Sequence, residues 1–221
     1  MLTNERIKRI LLAKGIVYLY HANTVATACT FLENKGLMSR GAVEEFGLLQ
    51  TSQASDQKDR EVDVFYDIFF DSVDVHRRSK NVNHYGPVTF VYSIDLLDVL
   101  PQGSVRITKD NPVRWTTEMT EEEKYFLSER ELEFEYQKGN FSQHLTIRHQ
   151  KETLSFDYLE KIIVEDPGEN GVQCFRKAYT HLQRLADGLT IEIRQCGHDC
   201  HCKERYSSRN PGYIYNRFKI R

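Results

Sequence analysis

The sequence predicts a mixed α+β domain with a largely antiparallel sheet. Three observations carry that expectation. Apolar residues recur at helical spacing near both ends of the chain, as Ile7, Ile10 and Leu11 and again across Cys174–Ala186. Short runs rich in β-branched and aromatic residues, such as Ile16–Tyr20 and Pro87–Ser93, read as strands. Their order along the chain, with several short strands following one another in the middle, is the third.

Residues 3–14 read as an amphipathic helix stopped by Gly15, and Ile16–Tyr20 as a strand. Thr24–Lys35 is a second helix, with Ala28, Phe31 and Leu32 facing inward and Gly36 at its C-terminal cap. Residues 47–62 are polar and form a loop or short helix; a connection of that length is often a lid or substrate loop. The Pro87–Ser93 strand leads into a short helix through Leu100. Val105–Thr108, Leu132–Tyr136, His144–Ile147 and Ile162–Glu165 read as further strands, with Lys138-Gly139-Asn140 as a hairpin turn between two of them. Cys174–Ala186 is a helix closed by Asp187-Gly188, and Leu189–Arg194 is the last strand. No internal repeat or low-complexity segment interrupts this order. Residues 1–195 are expected as one domain and 196–221 as a basic tail containing Cys and His.

A chain of 221 residues, 40% hydrophobic with 12 Phe and 12 Tyr, is large enough to bury a substantial core. No apolar run approaches the roughly 18 residues of a membrane span. The apolar stretch near the N-terminus is too short for a signal sequence, so a cytoplasmic location is expected. Five cysteines, three of them within seven residues, do not form the spread framework of a secreted disulfide protein. A net charge of −2 excludes a global nucleic-acid-binding signature, but the charge is unevenly placed. From Lys203 to Arg221 six Lys or Arg face one Glu, whereas from Thr117 to Glu135 eight Glu face two basic residues. A basic binding face is therefore compatible with the acidic total. The Glu-rich stretch reads as a solvated face, or as a surface that masks a site or takes a basic protein partner.

Two stretches point to chemistry. In Asp71–Ser93 a polar segment with the pair Arg77-Arg78 gives way to an apolar strand, a pattern able to hold a phosphate-bearing ligand at a sheet edge. Some fifty residues earlier an apolar strand ends in His21-Ala22-Asn23, two side chains that can hydrogen-bond a ligand. Each has a plainer reading: His21 as a satisfied, half-buried histidine, and Arg77-Arg78 as a solvated helix end.

Taken together, these residues resemble the ADP-ribosyltransferase fold, and within it the DarT-type toxins, which transfer ADP-ribose from NAD to a nucleic-acid base. Leu19-Tyr20-His21-Ala22-Asn23 matches the family's opening strand, Gly36-Leu37 its turn after the first helix, and Ser72-Val73 to Arg77-Arg78 with Tyr85-Gly86-Pro87-Val88 its basic helix end and following strand. The match runs over about residues 16–97 and weakens to architecture over 98–165. Asn23 stands where the family has Thr, and one extra residue separates Ser72 from the arginine pair, leaving His76 and Arg77 as alternatives for one position.

The resemblance implies a split antiparallel or mixed sheet with flanking helices, and NAD as the donor. It implies that His21 bonds ribose or adenosine hydroxyls, that the Ala22 backbone pairs with the carboxamide, and that Asn23, Gly36, Leu37 and Tyr85 complete the donor pocket. Arg77 would hold the pyrophosphate or act on the incoming nucleophile. The implied acceptor is single-stranded DNA or RNA, contacted by Arg78, Lys80, Arg205, Tyr206 and Arg209. The implied setting is a toxin–antitoxin or phage-defence system with a neutralising antitoxin protein.

The family also requires a catalytic Glu on a later strand. By architecture that strand is Asn140–Ile147, and the expected position holds Gln143, which keeps hydrogen bonds but accepts no proton. Three accounts stand: glutamine replacing a native glutamate, a shifted register with Glu133 or Glu135 as the carboxylate, or a natural pseudoenzyme. An acceptor on protein is a further alternative.

The cluster Cys196, His198, Cys200, His201 and Cys202 has ligand types suited to zinc, but not a two-plus-two spacing, and only Cys174 offers a further sulfur. No metal site is assigned, and free thiols in a terminal turn are the plainer reading. The tail interleaves Tyr206, Tyr213, Tyr215 and Phe218 with basic residues. That mix suits stacking on a single strand, or simply packing of the aromatics.

Overall fold

The computed structural model describes residues 2–207 and 209–221. Helix α1 (Asn4–Ala13) starts at the Thr3 cap and buries Ile7, Ile10 and Leu11. Strand β1 (Tyr18–Asn23) then enters a sheet and α2 (Val25–Glu33) covers it, with eight of its nine residues buried. Short strand β2 (Gly36–Leu37), helices α3 (Arg40–Glu45) and α4 (Asp56–Glu61), strand β3 (Ile68–Phe70) and helix α5 (Val75–Ser79) lead to β4 (Val88–Ser93). After β5 (Val105–Ile107) come helices α6 (Glu121–Lys124) and α7 (Glu129–Glu135), strands β6 (Leu145–Ile147), β7 (Leu154–Ser155) and β8 (Leu159–Val164), and the 15-residue helix α8 (Val172–Ala186). Strand β9 (Ile191–Ile193) and helices α9 (Cys202–Arg205) and α10 (Pro211–Phe218) finish the chain.

The strands form a split sheet. One part has the order β1-β4-β8-β9, antiparallel except for the parallel β8–β9 pair. The other has the antiparallel order β3-β6-β5, and β2 pairs separately with β7. A single bridge joins the two main parts: the Tyr20 N–H donates to the Asp71 carbonyl at 3.0 Å and the Asp71 N–H to the Tyr20 carbonyl at 2.9 Å. Beyond that bridge the two parts diverge. One core of Leu, Ile, Val and Phe side chains runs under both, from Ile7 to Phe218.

Several expectations change. Leu132–Glu135 is helix, not strand, with Tyr136 as its extended cap: Ser128 and Glu131 form a reciprocal capping box, and Leu132 and Tyr136 are buried while Phe134 is 80% exposed. The alternation of Leu-Glu-Phe-Glu imitates a strand, but the cap decides. Gly139, at φ +78°, therefore turns the chain from a helix into β6 and not between hairpin strands. Gly36 is not a helix cap, since Lys35 takes the left-handed conformation instead. Gly36 is needed because a Cβ there would lie 2.3 Å from the Leu154 carbonyl oxygen of β7. The tail packs inward, with Tyr206, Ile214 and Phe218 in the shared core. Among the described residues no helix is long and apolar enough to cross a membrane.

Candidate functional site

A cleft of about 570 Å³ opens where the two parts of the sheet separate. Its floor is the end of β1 and its opposite wall is β3 and β6. The loop 50–55 and the end of α10 close the sides. The loop is pinned to α2, because the Thr27 hydroxyl accepts from the Thr51 N–H at 3.0 Å and the Thr30 hydroxyl donates to the Leu49 carbonyl at 2.6 Å.

On the floor, the His21 Nδ1–H donates to the Phe69 carbonyl at 2.8 Å, and Nε2 accepts from the Asn23 side-chain amide at 2.8 Å. Burial pushes this imidazole below its ordinary range, so the ring is neutral at pH 7. Both of its nitrogens are committed, and the ring acts by orienting Asn23 and tying β1 to β3. Peptide groups alternate along a strand, so the N–H and C=O of Ala22 point the same way as those of Tyr20. Tyr20 spends its pair on Asp71, whereas that edge is open at Ala22, which presents one donor and one acceptor to the cleft.

Tyr85-Gly86-Pro87 comes against the same strand end. A Cβ at Gly86 would lie 1.9 Å from the Asn23 carbonyl carbon, so only glycine lets this turn lie on β1. The two stretches singled out in the sequence thus meet, with Asn23 opposite Val88 in the ladder.

On the facing wall, His144 is buried and its Nδ1 lies 3.2 Å from Asp71 Oδ1. The Asn111 side-chain amide donates to His144 Nε2 at 3.4 Å, and Asn111 also hydrogen-bonds the Tyr85 hydroxyl. An Nδ1–H held by a carboxylate leaves Nε2 as the basic atom, the arrangement required of a general base. Three carboxylates line the cleft: Asp59, Asp67 and Asp71. Burial raises the Asp67 carboxyl to about 6, against the opposing pull of the Arg148 guanidinium 3.0 Å away. Burial raises Asp59 as well, with the Ser55 hydroxyl at 2.9 Å pulling the other way.

Two guanidiniums reach the cleft. Arg40 pairs with Asp56 through two hydrogen bonds. Arg217, on α10, is buried, donates to the backbone carbonyls of Asn83 and His84, and lies with its Cζ 4.9 Å from the Tyr213 ring centroid. Its Nε has no hydrogen-bond partner, and among the described residues no carboxylate pairs with it.

The expected site residues divide accordingly. His21, Ala22, Asn23 and Tyr85 line the cleft. Gly36 and Leu37 are buried in the β2–β7 pair behind it. Arg77 is exposed on α5 and does not line the cleft; the residue that α5 turns inward is His76. Arg78 on α5 and Lys80 at its C-cap are exposed, the latter paired with Asp199 at 2.5 Å, and Arg205 and Arg209 are exposed on the tail. Tyr206 is fully buried and its hydroxyl donates to Glu165, so no base can stack on it.

Gln143 faces away from the cleft. Its amide oxygen accepts from the Gln137 N–H at 2.8 Å and its amide nitrogen donates to the Glu135 carbonyl at 3.4 Å. It shares the side of β6 that carries Leu145 and Ile147, while His144 and Thr146 occupy the other side. Successive residues of a strand take opposite faces, so it is the next residue, His144, that turns to the cleft. Glu133 and Glu135 are exposed on α7 and do not reach the cleft either.

Sequence reading missed Asp71, Asn111, His144, Arg40 and Arg217. For His144 the signal was present, since Leu145 and Ile147 fix which residues of that strand face the core. For Arg217 nothing local marks it, because its position depends on how the tail folds back.

No family model matches the chain, and no curated protein matches it. Among solved structures, DarT from Thermus sp. 2.9 in complex with ADP-ribosylated ssDNA superposes with a TM-score of 0.50 at 10% identity, covering 81% of this chain and 95% of that one. A second structure of the same protein, in complex with NAD+, gives a TM-score of 0.46 at 11% identity, over 81% and 96% of the two chains. The chain has the α+β fold of an ADP-ribosyltransferase, and the first of these structures carries that statement. At such identity the likeness is one of fold.

Proposed function

We propose that the cleft binds NAD and that the chain transfers ADP-ribose from it to a base of a single-stranded nucleic acid. The observation that carries this reading is the His144–Asp71 pair, aimed into a cleft that lies between the two halves of an ADP-ribosyltransferase-like sheet. The open N–H and C=O of Ala22 suit a carboxamide. Arg217, cationic and without a carboxylate, suits the pyrophosphate, a role the sequence had given to Arg77. Asn23 and Tyr85 are placed for ribose hydroxyls. Breaking the nicotinamide–ribose bond builds positive charge at the anomeric carbon, and His144 Nε2 takes the proton that the acceptor nitrogen loses on attack.

The Thermus neighbour is in complex with ADP-ribosylated ssDNA, and a base must be unpaired for its nitrogen to reach such a cleft. The exposed cations Arg78, Lys80, Arg205 and Arg209 would track the phosphate backbone, in DNA or RNA. Such an activity fits a cytoplasmic toxin of a toxin–antitoxin or phage-defence system, held in check by an antitoxin protein.

One observation favours a second reading. Among the described residues no glutamate lines the cleft, which fits a protein that binds NAD or nucleic acid without transfer. Incubation with adenylate-labelled NAD and single-stranded DNA, RNA or protein separates the two. Label on an oligonucleotide supports transfer, label on protein redirects it, and NAD binding without label supports the binding module. Absence of NAD binding by calorimetry refutes transfer, and absence of both NAD and oligonucleotide binding refutes both readings.

A further inference from the structure

Beside α5, among residues that do not line the cleft, four metal-ligating side chains converge. His76 comes from α5 and Cys196, Cys200 and Cys202 from the segment after β9. One ligand atom from each lies within 4.8 Å of all the others. His76 Nε2 is 3.2 Å from Cys200 Sγ and 3.4 Å from Cys196 Sγ, and Cys196 Sγ is 3.6 Å from Cys202 Sγ. A tetrahedral zinc with bonds of about 2.3 Å to sulfur and about 2.0 Å to nitrogen requires ligand-to-ligand edges of roughly 3.5–3.8 Å, close to these separations.

A second feature points the same way. The other ring nitrogen of His76, Nδ1, lies 2.6 Å from Glu165 Oε1, and Glu165 is 1% exposed. Glu165 is fixed in turn by the Tyr206 hydroxyl and the Asn83 N–H. A carboxylate that orients a histidine from behind, so that its free nitrogen faces a set of thiols, is the usual outer support of a zinc ligand. As bare thiols the three cysteines would gain little from facing one another, since S–H is a weak donor and sulfur a weak acceptor.

We propose that His76, Cys196, Cys200 and Cys202 bind one zinc ion in a Cys3His site. Its role is structural, because all four positions are filled by protein. The ion staples the C-terminal segment to α5, where the His201 N–H already donates to the Lys80 carbonyl at 2.7 Å and Arg194 pairs with Asp74, the cap residue of α5. Beyond the staple the chain continues through buried Tyr206 into α10, which delivers Arg217 to the cleft. The fourth ligand comes from a residue 120 positions before Cys196, which is why the spacing of the cysteines alone does not disclose it.

Metal content, measured on the full chain purified with reductant and without added chelator, tests this independently of any activity. One zinc per chain is expected by mass spectrometry. Cobalt(II) exchanged into the site should give the thiolate charge-transfer bands and strong d–d bands of a tetrahedral sulfur-rich centre. Cys200→Ser should lose the metal, while Cys174→Ser, altering a thiol outside the cluster, should keep it. Chelation should lower the thermal midpoint of the wild type and leave that of Cys200→Ser unchanged. If Cys200→Ser does not fold, the cobalt spectrum of the wild type decides. A metal-free chain that takes up neither ion under anaerobic conditions, a disulfide between Cys196 and Cys202 in its place, or a cobalt spectrum without thiolate bands would overturn the assignment. A zinc-bound chain that transfers no ADP-ribose leaves it intact.

Discussion

Asp67→Asn should make the protein gain stability, relative to wild type, as pH rises. Asp67 sits on the cleft wall with its carboxylate bonded to the Thr146 hydroxyl at 3.1 Å, the Arg148 guanidinium at 3.0 Å and the His149 N–H at 3.0 Å. Those three contacts do not offset the loss of water, and the carboxyl is raised from 3.8 to about 6. A folded-state value above the unfolded one means that the folded protein holds the proton more tightly. The stabilisation from Asp67 is therefore full below the unfolded value and lost as pH climbs through the folded one. Two units correspond to ~3 kcal/mol, an order-of-magnitude figure for a side chain this deeply buried. Asparagine keeps an oxygen for Arg148 and cannot ionise, so this pH-dependent part vanishes. The attraction of Arg148 is already contained in the raised value, so exchanging the neutral carboxyl for an amide adds only an offset that does not vary with pH, and Arg148 keeps the Tyr125 hydroxyl at 2.6 Å. Urea unfolding of both proteins at about pH 4 and about pH 7 measures the effect, since groups common to both cancel in the difference. Because the lower pH already lies slightly above the unfolded value, the variant should improve against wild type by ~2 kcal/mol between the two conditions. A difference constant to within about 0.5 kcal/mol, or one of opposite sign, refutes the reasoning.

Other substitutions address the cleft directly. His144→Ala should lower single-turnover transfer from labelled NAD on the order of 10²–10⁴ fold while NAD affinity by calorimetry changes far less; an unchanged rate removes His144 from the reaction. Gln143→Glu should restore nothing, and should cost about 1–3 kcal/mol in urea unfolding, because it loses the donor that meets the Glu135 carbonyl. A gain in transfer by that variant would return the chemistry to position 143. Gly86→Ala must displace the Asn23 backbone; about 1–3 kcal/mol of stability and most NAD affinity should be lost together. Arg217→Leu should weaken NAD binding by about 1.5–3 kcal/mol, while Arg77→Leu should leave it unchanged and Arg78→Leu should reduce the salt dependence of oligonucleotide binding.

Much of the scaffold was legible because it rests on local rules. Helix α1 announces itself by periodicity, α8 by periodicity and a left-handed Asp187 at its end, and β4 by its apolar run. The floor of the cleft was legible for the same reason, since His21 and Asn23 close a readable strand beside a glycine that a side chain would not tolerate. The facing wall was not. Strand β3 is three residues long and follows a polar loop, too short for alternation to register. Helix α7 carries a sequence that alternates like a strand, and only its capping box betrays it. The placement of Arg77 failed because α5 has five residues, so a single turn decides which of His76 and Arg77 faces inward, and no periodicity accumulates over one turn.

Asp71 explains why the base and the fold cannot be read separately. Its backbone makes both hydrogen bonds of the bridge that joins the two parts of the sheet, and its side chain orients His144. Tyr20, its partner across that bridge, lies one residue before His21, whose ring reaches back to the Phe69 carbonyl. The distance between the floor of the cleft and His144 is therefore set by the bridge itself, through strand backbone. An imidazole oriented by a carboxylate that is already fixed in the sheet lets a cleft with no glutamate among its described lining residues still present a proton acceptor.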